Sequence, residues 1–557
     1  MTEAAAKTTP TTPPPHGEVP RGLNATPSSS TTTGRFGRMF RHLPVYEQRP
    51  ETLTELGSSM IQPLEAGLLD KPLGESDGDE NTAVLDGELR LPAGYTYFGQ
   101  FVDHDITFDP ISSLQRQNDP DALTDFRTPR FDLDSLYGGG PDGAPFMFEP
   151  GGLKLAIGRA VSGQPRFAGP DLLRAAGDRA VIGDPRNDEN LVVSQLQVTF
   201  IKFHNAVVDL VAGDNPDLHG ANLFKLAQQT VRWHYQWVVI HDYLRRLVGQ
   251  ETLDDILAEA PYRSNEAAHS VIRPKLLFYG WHDEPFMPVE FAVAAYRFGH
   301  SMARPTYLIN DVIPTPVVPN ASRIPLFAPT TTPGNRLQHL NGFRPLPDSW
   351  GIEWKYFLPA IGDDPGPRDA QLPQPSYKID TELGHPLGAL PDSVAKAETL
   401  FKGIPASKAK SLAVRNLLRG RSLGLPTGQD VARAMGISPL TDAELLDGVD
   451  LTAVTRADLS GRAPLWFYIL KEAEVTAGAS HLGAVGGRIV AEVLIGLLKG
   501  DPLSFLSVNP IWTPTIEGRR PGTFTLSDIV NVAFGRPAAS ATSLDTDPSP
   551  PAWATPA

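Results

Sequence analysis

A chain of 557 residues with 41% hydrophobic and 20% charged residues has the balance of a globular protein with room for a large core. Its formal net charge of −15 excludes a general nucleic-acid binder, which needs a basic surface. With 0 cysteines, disulfides, zinc–thiolate sites, iron–sulfur clusters and thiolate-ligated cofactors are all excluded.

In chain order, residues 1–33 are rich in Thr, Pro and Ser and read as a disordered tail. The opening Met-Thr-Glu-Ala-Ala-Ala-Lys lacks an apolar core of the kind a secretory signal needs. A cytoplasmic location is therefore the default expectation, with export by another route left open. Ordered structure is expected to begin near Gly34. No run of about 20 apolar residues appears, so no membrane span is expected.

The first informative stretch is Phe98-Gly99-Gln100-Phe101-Val102-Asp103-His104-Asp105. Successive residues on a helix point about 100° apart, so Gln100 and His104 share a face. Asp105 points well away, and Asp103 lies beside the His104 face. One short helix can thus offer a base to one site and a carboxylate to another. A solvated polar helix end is the alternative. Arg127 to Gly138 comes next, with oxygen-bearing groups at Thr128, Asp132 and Asp134 and the Arg130 carbonyl between them. A hard cation such as calcium takes six to eight oxygens from loops of this kind, but the twelve-residue EF-hand pattern is missing. An acidic turn is the alternative here. In Gly183 to Asn190, Arg186 and Glu189 are spaced to share a helical face. They form either a surface ion pair or a guanidinium aimed at charge that develops in a pocket.

Helices are expected over Leu191–Leu210, the aromatic-rich Leu223–Leu247, Pro288–Met302 opened by proline, and the apolar Val485–Leu498. His300 sits on the third of these, in Tyr296-Arg297-Phe298-Gly299-His300-Ser301-Met302. It is either a satisfied core histidine or an axial ligand to haem iron. A ligating imidazole wants its other nitrogen held, and Asn416, in Arg415 to Arg421, is the candidate partner. Strand patterns are scarce, no fixed repeat appears, and the 54 prolines mostly punctuate loops. Residues 537–557 return to Ala, Ser, Thr and Pro and read as a second tail. The expectation is a mainly α fold: one large helical domain over 34–536, with long loops and little β structure.

These motifs, widely separated and in this order, resemble the animal-type haem peroxidase superfamily (peroxidase-cyclooxygenase superfamily), in particular its bacterial members. The resemblance covers most of residues 34–535. It implies a haem b cofactor, with His104 as distal base, Gln100 lining the distal cavity and Arg186 as catalytic distal arginine. It implies that Asp103 and Glu189 can form ester links to haem. His300 would be the proximal iron ligand, Asn416 its hydrogen-bond partner and Arg419 an arginine facing a haem propionate. Asp105, Thr128, Arg130, Asp132 and Asp134 would bind Ca2+. Trp233 to Trp237 and Gly486 to Val490 match family stretches read as packing.

Two positions depart from particular branches. Asn190 stands where some mammalian members carry a methionine bonded to haem. The cyclooxygenase branch has a tyrosine three residues before its proximal histidine, where this chain has Arg297. Tyr296 is one residue further back, which on a helix turns the phenol by about 100°. The implied activity is a peroxidase that reduces hydrogen peroxide and oxidises small organic, halide or pseudohalide donors. A fatty-acid dioxygenase on the same fold and an inactive haem-binding scaffold are the alternatives. The oligomeric state is left open.

Overall fold

The computed structural model describes residues 34–535, apart from 63–83, 86–87, 90, 109–123, 126, 166–167, 258, 264–267, 314–323, 328–338, 360, 362–372, 392–403 and 519–522. The segments 1–33 and 537–557, read from sequence as tails, lie outside the described residues.

Helices dominate, as the scarcity of alternating patterns implies. The ones that build the site and its surroundings are α1 (Ala93–Ile106), α2 (Leu191–Asp214), α3 (Gly220–Val238), α4 (Leu412–Ser422), α5 (Leu465–Ala477), α6 (Ala484–Gly500) and α7 (Leu526–Ala533). Strands are short. β1 (Gly34–Gly37) pairs antiparallel with β2 (Thr124–Asp125) and parallel with β3 (Met287–Pro288). The longest strands among the described residues are those of a hairpin, Glu259–Arg263 with Ala268–Ile272. No helix among the described residues is long and apolar enough to cross a membrane.

α2 is the longest of these helices, at 24 residues, and carries a buried apolar stripe at helical spacing. Leu196, Phe200, Phe203 and Val207 are all buried. The helix is opened by Asn190, whose side chain accepts the Val192 N–H at 2.9 Å. α1 lies against it through aromatic rings: Phe101 stacks on Phe200 at 4.6 Å, and Phe98 meets Tyr235 of α3 edge-on at 6.1 Å. This aromatic seam holds the last two turns of α1, where Gln100, Asp103 and His104 sit.

The expected helix over Leu223–Leu247 divides. α3 ends at Val238, Val239–Leu244 is π-helical, and α-helix resumes over Arg245–Val248. The expected helix over Pro288–Met302 is replaced by a π-helical turn, Glu290–Ala294, followed by a 3₁₀ segment, Ala295–His300. Pro288 does not open it; that residue pairs with Gly37 in the β1–β3 ladder. The buried carboxylate of Glu290 accepts the Met39 and Phe40 N–H groups at 3.0 and 3.1 Å, tying the segment's start to the strand region. Winding changes of this sort concentrate at functional sites.

Candidate active site

α1 and the 290–300 segment meet at a cavity of ≈ 230 Å³ whose lining includes Gln100, Asp103, His104, Glu189, Arg297 and His300. Residues nearly two hundred positions apart are therefore brought to one chamber. Gly99 allows a close approach there, because a Cβ at that position would collide with the Tyr243 hydroxyl, which also faces the cavity.

The protonation of His104 follows from a chain of amides behind it. The Ser135 carbonyl can only accept, so the Gln197 amide nitrogen donates to it, at 3.3 Å. Gln197 Oε1 then faces Asn187, which donates Nδ2–H at 2.8 Å. Asn187 Oδ1 is left to face His104 Nδ1 at 2.7 Å. His104 must carry its proton on Nδ1, and its Nε2 lone pair is free. Nε2 lies 3.7 Å from Glu189 Oε1, and Gln100 donates its amide N–H to that same oxygen. Burial lowers the His104 pKa and the nearby Arg186 guanidinium lowers it further, against the pull of Glu189. The imidazole is thereby kept neutral. Asn187 did not stand out in the sequence. Its only signal there was its place in the Gly183–Asn190 stretch.

Arg186 lies behind His104. Its guanidinium donates to the carbonyls of His104 at 3.0 Å and Thr107 at 2.6 Å, pairs with Asp184 at 2.8 Å, and lies over the Phe108 ring. It is not among the residues lining the cavity. The physical reason is Asp184, buried between Arg186 and Arg127, the latter at 2.7 Å. Burial alone would raise the Asp184 carboxyl, but the two guanidinium groups outweigh it and hold it well below the usual carboxylate range.

On the other side of the chain's path, the Asn416 amide nitrogen Nδ2 lies 2.7 Å from His300 Nδ1. Oxygen and nitrogen of an amide can exchange places by a flip. With its oxygen toward the ring, Asn416 accepts Nδ1–H and leaves the Nε2 lone pair free. Burial pushes the His300 pKa down to about 3, helped by Arg297 and opposed by Asp103. Arg297 faces Asp103 Oδ2 at 3.8 Å and so links the two walls. Arg419, on α4 with Asn416, is half-buried and is not among the lining residues. Tyr296 does line the cavity, and its hydroxyl donates to the Tyr243 hydroxyl at 3.1 Å. The segment leading to His300 is wound as 3₁₀, in which residues three apart eclipse, so Tyr296 reaches the cavity from a different face than His300. Asn190 combines its cap on α2 with a place in the lining.

The Thr128–Asp134 loop docks under α1. Asp105 is fully buried and accepts from Leu133 N and Ser135 Oγ, each at 3.3 Å. Thr128 Oγ1 donates to Asp132 at 2.9 Å, the Thr128 carbonyl accepts the Arg130 N–H at 2.7 Å, and Leu133 holds a left-handed φ of 59°. Burial raises the Asp105 carboxyl to about 8, and the Asp132 charge adds to the shift; Asp134 is raised well above its ordinary value for the same two reasons. Asp134 Oδ2 is buried without a hydrogen-bond partner. Among the described residues, no group of three or more His, Asp or Glu side chains is spaced to hold a metal ion.

Residues 154–347 match the family model for animal haem peroxidases. The fold is shared with Peroxidase A from Dictyostelium discoideum at a TM-score of 0.50 and 14% identity, covering 86% of this chain and 88% of that one. It is also shared with a fatty acid alpha-dioxygenase from Arabidopsis thaliana at a TM-score of 0.51 and 16% identity, covering 88% and 76%. Among curated proteins, a dual oxidase from Drosophila melanogaster is 25% identical over 122 residues, which is 22% of this chain but 7% of that protein's length. Residues 154–347 are thus similar to animal haem peroxidases, and the fold of most of the chain is similar to that of both solved structures. The solved structures that share this fold include both a peroxidase and a dioxygenase, so the fold alone does not choose between them.

Proposed function

We propose that the protein is a haem peroxidase that reduces hydrogen peroxide and oxidises small organic, halide or pseudohalide donors. The observation that carries this reading is the amide relay that leaves His104 neutral, with its Nε2 lone pair free at the cavity wall.

The donor set suits haem. His300 would ligate iron through Nε2, with Nδ1 held by Asn416. Leu326, Phe327, Leu387, Leu390 and Leu412 give apolar wall for a flat macrocycle, and Arg297 gives a cation for its carboxylates. Asp103 and Glu189 both face the same space and are the carboxylates for ester links. Resistance of the haem to extraction by acidified organic solvent would mark such links, and free extraction would rule them out.

When bound, haem supplies the redox centre that takes oxidising equivalents from peroxide and passes them to the donor. His104 Nε2 accepts a proton from one peroxide oxygen and delivers it to the other as the O–O bond parts. One group so serves as base and then acid. An imidazole suits the task because its unperturbed pKa, about 6.5, lies near working pH and is here lowered. Arg186 acts on this step from behind the ring. It fixes the end of α1 through two carbonyls and disfavours an imidazolium.

A calcium ion would take oxygens from Asp105, Thr128, the Arg130 carbonyl, Asp132 and Asp134. The unpartnered Asp134 Oδ2 and the mutual repulsion of the buried carboxylates support it. Chelation should then lower haem retention and peroxide reactivity together, and added calcium should restore both. Indifference to chelator in a protein free of bound calcium would remove the ion from the account.

A second reading, a fatty-acid dioxygenase, is favoured by one feature: Tyr296 and Tyr243 both line the cavity, with their hydroxyls in contact. The deciding experiment follows the haem-loaded protein in two assays. Peroxide-dependent oxidation of guaiacol or bromide is expected. Oxygen uptake with palmitate and no such oxidation would replace the first reading by the second.

A further inference from the structure

A second depression lies where the C-terminal end of α2 meets α3 and the loop 509–517. It encloses ≈ 410 Å³ and shares no lining residue with the haem cavity. Trp233 and Trp512 form part of its wall, and its charged lining residues are both acidic, Asp214 and Glu517. No lysine or arginine is among its described lining residues. Asp214 is also the last residue of α2, so the negative end of a 24-residue helix dipole faces the same place.

The walls are fixed before any ligand arrives. Trp233 Nε1 donates to the Leu503 carbonyl at 3.0 Å, and its ring meets Trp512 edge-on at 5.4 Å. Trp512 is further held edge-on by His234 at 5.1 Å and Trp237 at 6.0 Å. His234 donates Nδ1–H to the Thr230 carbonyl at 2.7 Å and accepts the Ile516 N–H on Nε2 at 3.2 Å, which pins the loop to α3. Burial lowers the His234 pKa to about 4, so the ring behind the tryptophans brings no positive charge at neutral pH.

We propose that this groove binds an organic cation of the quaternary ammonium class. Indole faces attract such ions through the ring quadrupole. The two carboxylates and the helix end add a field of the matching sign, and a preformed wall reduces the ordering cost of binding. An anion would meet repulsion from every charged group in the lining. A bare metal ion would find too few ligands, since the described lining offers only two carboxylates.

The test is a calorimetric titration of the full-length protein with choline, beside 3,3-dimethylbutan-1-ol, the uncharged molecule of the same shape. Choline is expected to saturate one site, with the neutral isostere about three- to thirtyfold weaker. The exposed pair Asp214→Asn with Glu517→Gln should weaken choline by about tenfold or more, and Trp512→Leu should abolish binding. No saturable choline binding, equal affinity for the isostere, or an unchanged affinity in the double variant would each overturn the proposal. If Trp512→Leu does not fold, the double variant decides alone, because its changes are at the surface. Since the groove is separate from the haem cavity, either result stands apart from the peroxidase reading.

Discussion

His104 and His300 reach one cavity on different kinds of backbone. His104 rides the last turn of a regular α-helix, backed by two side chains in series, Asn187 and Gln197, and beneath them by the Ser135 carbonyl. His300 ends a stretch that is first underwound and then overwound, with a single amide behind it. On a 3₁₀ segment residues three apart eclipse one another, which puts Arg297 and His300 along one line toward the cavity. The difference fits two tasks. A proton-transfer base must have a defined tautomer, and a relay anchored on a backbone carbonyl supplies one. A metal ligand must have a defined direction, and the winding of the chain supplies that.

The comparison breaks most sharply by truncating each ring in turn. His300→Ala removes the proposed iron ligand and should leave a protein with little or no haem, read from the Soret band and the haem-to-protein ratio. His104→Ala should retain haem, with the reaction with peroxide slowed roughly a hundredfold to ten-thousandfold. Stopped-flow mixing with peroxide measures this. If the two variants lose haem alike, or if His104→Ala reacts at a near-normal rate, the division of roles fails.

The distal half was readable from residue spacing because α1 is regular. Gln100, Asp103 and His104 do share a cavity wall, while Asp105 turns to the loop at Leu133 and Ser135, as about 100° per residue dictates. The long helices α2 and α6 were equally plain, since buried apolar residues recur along them at helical spacing. The proximal segment was not. An apolar run with a proline before it reads as an α-helix, and nothing in the residue types marks a change of winding. Tyr296, expected to be turned aside from the line of His300, still lines the cavity. The heading of Arg186 was also hidden, because it depends on Asp184 being buried beside a second arginine 57 positions earlier in the chain, Arg127. Spacing reports which residues share a face. It does not report which of two partners a guanidinium will choose.

The finest test concerns the relay. Asn187→Leu leaves the His104 Nδ1–H without an acceptor, so the ring is free to place its proton on Nε2, where it would block the lone pair. The expected result is a normal haem spectrum with the peroxide rate lowered about ten- to a hundredfold, the usual cost of losing an orienting partner. Gln197→Leu stands one step further back. Asn187 can still accept from His104 there, but its orientation is no longer enforced, so the loss should be smaller than for Asn187→Leu. Both sites are buried, so thermal melts must show that each variant is folded before rates are compared. A graded loss, greater at Asn187 than at Gln197, would mean that direction is passed along the relay from Ser135. Equal losses would mean that Asn187 owes its orientation wholly to Gln197. No loss at either position would show that the Nε2 lone pair is kept open by something other than these amides, and the observation on which the peroxidase reading rests would be gone.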